Sequence, residues 1–238
     1  MKARFLAMAG ILMAVLLFAV MAGHDWASPR KLLQALSGAP DMESRLLLVW
    51  RLPRVVAAAL VGALLGLGGA IFQGVFRNPL AEPYLLGASG GAAIGATIAL
   101  LVPLGLPGGP ALAALSFAGA WGATWVVLAV SGLHGRPDTA GLLLAGVAVA
   151  AILGALRSFL MLALSDDTVN LQVVLSWTLG GIQTPDVTGL LLLGALVAVG
   201  LAAALWLAHG LDLLGLGDEQ AFAFGLDPVR FARCAVLV

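Results

Sequence analysis

Residues 51–95 read RLPRVVAAALVGALLGLGGAIFQGVFRNPLAEPYLLGASGGAAIG. No charged residue occurs between Arg54 and Arg77, and none between Glu82 and Gly95. Two apolar runs are therefore separated by Arg77-Asn78-Pro79-Leu80-Ala81-Glu82-Pro83. Its two prolines and its Asn-Pro step enforce a turn, with Arg77 and Glu82 as candidates to pair across it. The first run has the roughly 20 apolar residues that a helix needs to cross a bilayer. Its apolarity is continuous rather than alternating, which selects a helix over a barrel strand.

The same pattern recurs on both sides. Spans are predicted at about 5–23, 46–72, 85–106, 111–133, 141–164 and 187–208, with a seventh starting near Phe231. Lys2 and Arg4 ahead of the first run suit a signal peptide, but the run is longer than a signal-peptide core and is read as a retained helix. The longest polar connection, 25–45, holds a short surface helix over 28–36, with Ser28 as N-cap and Pro29 at the first position. A second surface helix is expected within 165–185.

Composition agrees. Of 238 residues, 61% are hydrophobic and 10% charged, against about a quarter charged in soluble domains. The net charge is zero and no basic stripe occurs, which removes the case for nucleic acid. One cysteine, Cys234, excludes an internal disulfide framework, and the scattered His24, His134 and His209 make no metal motif. No Gly-x-x-x-x-Gly-Lys-Ser/Thr phosphate loop occurs, so this chain is not expected to hydrolyse ATP, and no cofactor is expected on it. The fold class expected is all-α, a polytopic bundle in one transmembrane domain over 1–238.

Small residues recur at four-residue spacing: Ala58, Gly62, Gly66, Ala70 and Gly74; Gly87, Gly91, Gly95 and Ala99; Gly146, Ala150, Gly154 and Ser158. Residues four apart share a helix face, and small ones let backbones approach where lipid offers no hydrophobic drive. The stripes predict a closely packed multi-helix bundle, with ordinary membrane-helix packing as the main reading and packing around a pathway as the other.

Three further features carry chemistry. Arg51 and Arg54 share a helix face at the start of the second span, with Pro53 in its first turn. Alone, they suit snorkelling to lipid headgroups. In Leu216-Gly217-Asp218-Glu219-Gln220-Ala221-Phe222-Ala223-Phe224-Gly225, Asp218 is the expected cap of a short helix. Glu219 favours its N-terminal end, and Gly225 closes it in a left-handed conformation. Phe222 and Phe224 are then exposed apolar groups that suggest a partner. Arg157 lies inside a span, a costly place for a bare charge, with Asp166 or Asp167 as candidate partners.

Several stretches resemble the permease family of iron-siderophore, haem and cobalamin ABC importers (FecCD-type). They are Arg51-Leu52-Pro53-Arg54, Gly62 through Gln73, Asn78-Pro79-Leu80-Ala81-Glu82-Pro83, Leu86-Gly87, Ser89-Gly90, Leu142 through Ala148, Trp177 with Gly180-Gly181, and Leu216 through Glu219 with Gly225-Leu226. The resemblance implies about ten helices in a longer chain, so the later helices and a Gly-Phe-x-Gly-Leu-x-x-Pro-His signature are expected beyond this sequence. It implies a non-enzymatic, multi-pass inner-membrane permease. Expected partners are cytoplasmic ABC ATPase subunits holding ATP and magnesium, a periplasmic substrate-binding protein, a second permease copy (the same or a different chain) and lipid. Arg51 and Arg54 would receive glutamates of the binding protein, and Gly217–Gly225 would dock in the ATPase. With the N-terminus inside, the outer side would hold Arg30, Lys31, Arg45, Arg51 and Arg54, and the inner side a similar number of basic residues, so the positive-inside rule does not settle orientation.

Two other readings are weighed. One is a non-transporting scaffold fragment. The other is an intramembrane serine protease, since Gly87-Ala88-Ser89-Gly90 fits a rhomboid-type Gly-x-Ser-Gly with His209 as a conceivable base.

Overall fold

The computed structural model describes residues 2–22, 26, 28, 30, 31, 33, 45–105, 108–131, 139–164 and 168–237, and among them helix is the only regular structure. The helices are α1 (Lys2–Met21), α2 (Leu52–Phe76), α3 (Ala88–Leu101), α4 (Gly108–Ser131), α5 (Thr139–Leu164), α6 (Thr168–Leu179), α7 (Val187–Gly215), α8 (Asp218–Ala223) and α9 (Pro228–Leu237). Five stretches are long and apolar enough to cross a membrane: Lys2–Met21, Leu47–Phe76, Gly108–Ser131, Gly141–Leu164 and Val187–Gly215. The all-helical expectation holds, and the chain is a multi-pass membrane protein.

The third expected span differs in length. Its helix, α3, has 14 residues, about 21 Å at 1.5 Å per residue, against a hydrocarbon core of about 30 Å. A 3-10 turn over Pro83–Leu86 and a left-handed Gly87 (φ 72°) delay its start. Val102 turns extended just before Pro103 and ends it early. Apolar composition ran past both ends because it does not register backbone dihedrals.

The second span also departs from expectation. Helix begins before Pro53, and a π-helical turn over Leu47–Arg51 precedes α2, closed by the Leu52 N–H on the Leu47 carbonyl. Pro53 has no N–H to donate and its ring crowds the carbonyl four residues back, so the wider turn falls just ahead of it. Of the surface helix expected at 28–36, only Ser28, Arg30, Lys31 and Leu33 are among the described residues; Arg30, Lys31 and Leu33 are helical. The one expected within 165–185 is α6.

The chain divides into two compact units, Met1–Gly66 with Ile182–Gly200, and Leu67–Gly181 with Leu201–Val238. In the first, α1 is exposed along nearly its whole length, with Phe5, Leu12 and Phe18 outward and Val20 its one buried residue. Such a surface suits lipid rather than water. The second has a core of Ile71, Phe72, Val75 and Phe76 (α2), Val127 and Leu128 (α4), Leu142, Ala145 and Val149 (α5), Leu207 (α7), and Ala235 and Val236 (α9).

Within the second unit, α3 packs most closely on α4 and next on α5. A methyl group at Gly91 would run into the Gly119 carbonyl, and one at Gly95 into the Leu115 carbonyl. The two backbones touch, as the small-residue stripe predicted. Gly87 lies against Val149, and Gly74 faces Leu211, where an added Cβ would sit 3.1 Å from Cδ2. Gly62, Gly66 and Gly154, by contrast, meet nothing within 4 Å. These three glycines are not used for packing among the described residues, although Gly74, Gly146 and Ala150 on the same stripes are. The buried hydroxyls of Thr97 and Thr124 donate to the carbonyls of Ala93 (2.7 Å) and Ala120 (3.0 Å), one turn back.

Arg157 has no such relief. Its Nε is buried and has no hydrogen-bond partner among the described residues; the expected partners Asp166 and Asp167 lie outside them.

Two stability predictions follow from this packing, both read as thermal unfolding in detergent. Gly95→Val should destabilise the protein by about 3 kcal/mol, because backbone cannot yield to a side chain there, whereas Gly62→Ala should stay within about 0.5 kcal/mol. Arg157→Leu should stabilise it by about 1–2 kcal/mol, because an orphaned buried donor is removed from a lipid-spanning helix.

Candidate functional site

In the first unit, the two arginines are held by different elements. Arg51 ends the π-helical turn, is partly buried, and donates from Nη1 to the Met21 carbonyl at the end of α1 (3.3 Å). A cation is favoured at a helix C-terminus, where carbonyls lack intrahelical donors. Arg54 is exposed and donates from Nη2 to Thr184 Oγ1 (3.1 Å). The Thr184 hydroxyl donates in turn to the Trp50 carbonyl (3.4 Å). Arg54 makes no ion pair among the described residues and uses one of five donors on a neutral hydroxyl.

Thr184 was not singled out from the sequence. It stands in an irregular stretch between Gly180 (φ 82°) and Gly181 (φ 155°), which end α6, and Pro185. Those breakers signalled a fixed connector. Nothing in the sequence tied it to Arg54, 130 residues away.

In the second unit, α2 ends in a Schellman motif. The Arg77 N–H donates to the Gly74 carbonyl (3.3 Å) and the Asn78 N–H to the Gln73 carbonyl (3.2 Å). Arg77 occupies the left-handed position that glycine usually takes, with φ 49°. The turn beyond is internally bonded: Gln73 Nε2 donates to the Pro79 carbonyl (3.1 Å), and the Leu80 N–H to Asn78 Oδ1 (2.9 Å). Ala81 is buried, while Leu80, Glu82 and Tyr84 are exposed.

Arg77 does not pair with Glu82 as expected. Its Nη2 lies 2.8 Å from Asp218 Oδ1, at the start of α8. The left-handed backbone carries the arginine off the path of its own turn, out of reach of a pairing that near neighbours in sequence suggested.

The expected cap of α8 is likewise corrected. Gly217 (φ 109°) is the N-cap and supplies no side-chain hydrogen bond. Asp218 is the first helical residue, and its carboxylate is turned to Arg77 instead. Glu219 shares the first turn, where a negative charge suits the helix dipole. The far end is as predicted: Gly225 is left-handed (φ 87°), its N–H donates to the Phe222 carbonyl (2.9 Å), and the Leu226 N–H to the Ala221 carbonyl (3.0 Å). Gln220 accepts from the Phe224 N–H. Ala221 is fully buried, while Phe222 and Phe224 are 71% and 67% exposed. The six-residue helix is thus seated on one alanine, closed at both ends by glycine, and offers two aromatic rings outward.

Asp227 was also missed. Its Oδ1 accepts from the Val229 and Arg230 N–H groups (3.1 Å each), capping α9. The Asp-Pro step ahead of an amphipathic run was a legible start signal. In α9 the Phe231 ring fills the space that a side chain at Gly210 of α7 would need.

With this geometry in hand, comparison with known proteins is informative. Residues 11–238 match the FecCD transport family. The cobalamin import system permease protein BtuC of Halobacterium salinarum is 39% identical over 84% of this chain and 53% of its own. The vitamin B12 import system permease protein BtuC of Salmonella paratyphi A is 35% identical over 96% of this chain and 66% of its own. The hemin transport system permease protein HmuU of Yersinia pestis is 35% identical over 79% and 56%. The chain thus spans between about half and two thirds of the length of these curated relatives. A solved structure of a candidate metal-chelate type ABC transporter, in an inward-facing conformation, superposes with a TM-score of 0.76 over 98% of this chain and 69% of its own. At 24% identity that likeness concerns the fold alone. The chain belongs to the FecCD transport family, a family of transport proteins rather than enzymes.

Proposed function

We propose that the chain is the transmembrane permease subunit of an ATP-driven importer that carries a ferric siderophore, haem or cobalamin across the inner membrane. The observation that carries this reading is α8. A short helix closed at both ends and presenting Phe222 and Phe224 to solvent suits a groove on another protein. That protein would be the cytoplasmic ATPase, since the sequence has no phosphate loop of its own. The relatives' cobalamin and hemin transport names support the cargo class. A second permease copy would complete the pathway.

Arg51 and Arg54 would receive carboxylates of a periplasmic binding protein. Guanidinium suits this because it stays charged and holds a carboxylate through two parallel bonds. In the cycle, ATP closes the motor, α8 moves with it, and the bundle opens its pathway to alternate sides. Family membership gives the Ser89–His209 protease reading no support.

The test is reconstitution of the complete importer in liposomes, with ATP-driven uptake of cyanocobalamin, haem and a ferric siderophore measured in parallel. A chain that retained no ATPase and moved none of the three would overturn the proposal. The variant Phe222→Asp with Phe224→Asp should reduce the ATPase recovered with the permease by about tenfold, as loss of buried aromatic anchors does. Charge reversal at Arg51 and Arg54 together should weaken binding-protein affinity by about tenfold, and undiminished affinity would remove these residues from the docking site.

A further inference from the structure

The coupling reading just given leaves open how movement of α8 would reach the membrane helices. Along the chain, α8 joins α7 through Gly217 (φ 109°) and α9 through the bonded turn at Gly225 (φ 87°), and neither connection leads to α2 or α3. Toward the second unit's helix bundle, the described polar attachment of the α8 side chains is the Asp218–Arg77 pair at 2.8 Å, joining residues 141 apart in sequence.

We propose that Arg77 is a positioning residue that ties α8 to the end of α2, so that displacement of α8 is delivered through this ion pair to the Arg77–Pro83 turn and on to α3. This rests on the reading of α8 as the ATPase-docking helix.

Two independent observations support it. The first is strain. Arg77 holds a left-handed conformation at a Schellman position where glycine would sit without penalty. The second is exposure: the Arg77 and Asp218 side chains are 40% and 62% accessible, so the pair adds little to stability. A costly backbone conformation that secures a weakly stabilising contact makes poor sense as scaffolding. It makes sense when the side chain has a task elsewhere.

The turn behind Arg77 is built to pass displacement on. Its bonds, from Gln73 Nε2 to the Pro79 carbonyl and from the Leu80 N–H to Asn78 Oδ1, make it stiff. Buried Ala81 anchors it, and Gly87 leads directly into α3, whose backbone touches that of α4. A shift applied at Arg77 therefore meets rigid elements rather than a slack loop.

The experiment uses the complete importer in liposomes and reads ATP hydrolysis with and without the binding protein, which needs no knowledge of the cargo. Arg77→Gly relieves the backbone strain and removes the charge. It should keep or raise the melting temperature and retain the ATPase, yet lower stimulation by the binding protein by about fivefold, the lower end of inter-site coupling. Arg77→Asp should lose stimulation more severely, and adding Asp218→Arg to it should restore most of the loss. Stimulation by Arg77→Gly equal to the wild type would overturn the proposal. So would a charge swap no better than Arg77→Asp alone. A wild-type chain that bound no ATPase would instead overturn the docking reading beneath it, and the two failures are distinct.

Discussion

Helices surrounded by lipid gain little from the hydrophobic effect when they meet, because the tails they leave are as apolar as the side chains they find. Close approach must therefore come from shape, and here it comes from Gly91, Gly95 and Gly119, where α3 and α4 meet backbone to backbone. That contact lets a helix of 14 residues belong to the bundle at all. Too short to span, α3 is surrounded by protein, with Ala96 and Thr97 fully buried. Its irregular lead-in, the 3-10 turn and left-handed Gly87, is tolerable only in protein or beside a polar cavity, since lipid cannot satisfy free backbone groups. The Arg77 turn and the seat of α8 both build on the end of the bundle that this contact holds.

Polar accounting inside the bundle follows the same constraint. Thr97 and Thr124 satisfy their hydroxyls within their own helices, which costs the packing nothing. Among the described residues, Ser116 Oγ and Arg157 Nε are buried without partners. Ser116 stands beside the Leu115 carbonyl against which Gly95 is pressed, so its orphaned hydroxyl accompanies a backbone-to-backbone crossing. Arg157 sits on α5 with no comparable packing reason, and its uncompensated donor is an energetic liability wherever the remaining helix neighbours leave it dry.

Much of this was legible in the sequence, for a physical reason. Lipid thickness imposes a length, and length with continuous apolarity can be read along a single strand of text; five of the six complete spans came through at spanning length. The glycine stripe of α3 was legible because four-residue spacing is geometry. Which stripes would be filled was not, since Gly62 and Gly91 look alike until a neighbour is placed against them. Local caps were half legible. Gly225 followed from its residue type, but Asp218 was given the cap because aspartate favours that position, and a partner 141 residues away outweighed the preference. Thr184 illustrates the same limit on the other unit: a hydroxyl becomes part of an arginine site only when the chain returns to it.

The two arginines that look equivalent in sequence are not equivalent in the fold. Arg51 is partly buried and bonded to the end of α1, so part of its hydrogen-bonding capacity is spent inside the protein. Arg54 is exposed, and its recorded bond is to a hydroxyl, which balances none of its charge. If a carboxylate from a partner meets this surface, the larger electrostatic gain falls to Arg54, whose charge has no competing anion among the described residues. Arg51 then serves mainly to hold the π-helical turn against α1, which fixes the direction in which α2 and its arginine pair emerge. The Thr184 bridge does the same for Arg54 from the other side, through the Trp50 carbonyl. An exposed arginine loses considerable side-chain freedom when it is held in one place, and a hydroxyl that restrains it beforehand lowers the cost of any later contact without neutralising its charge.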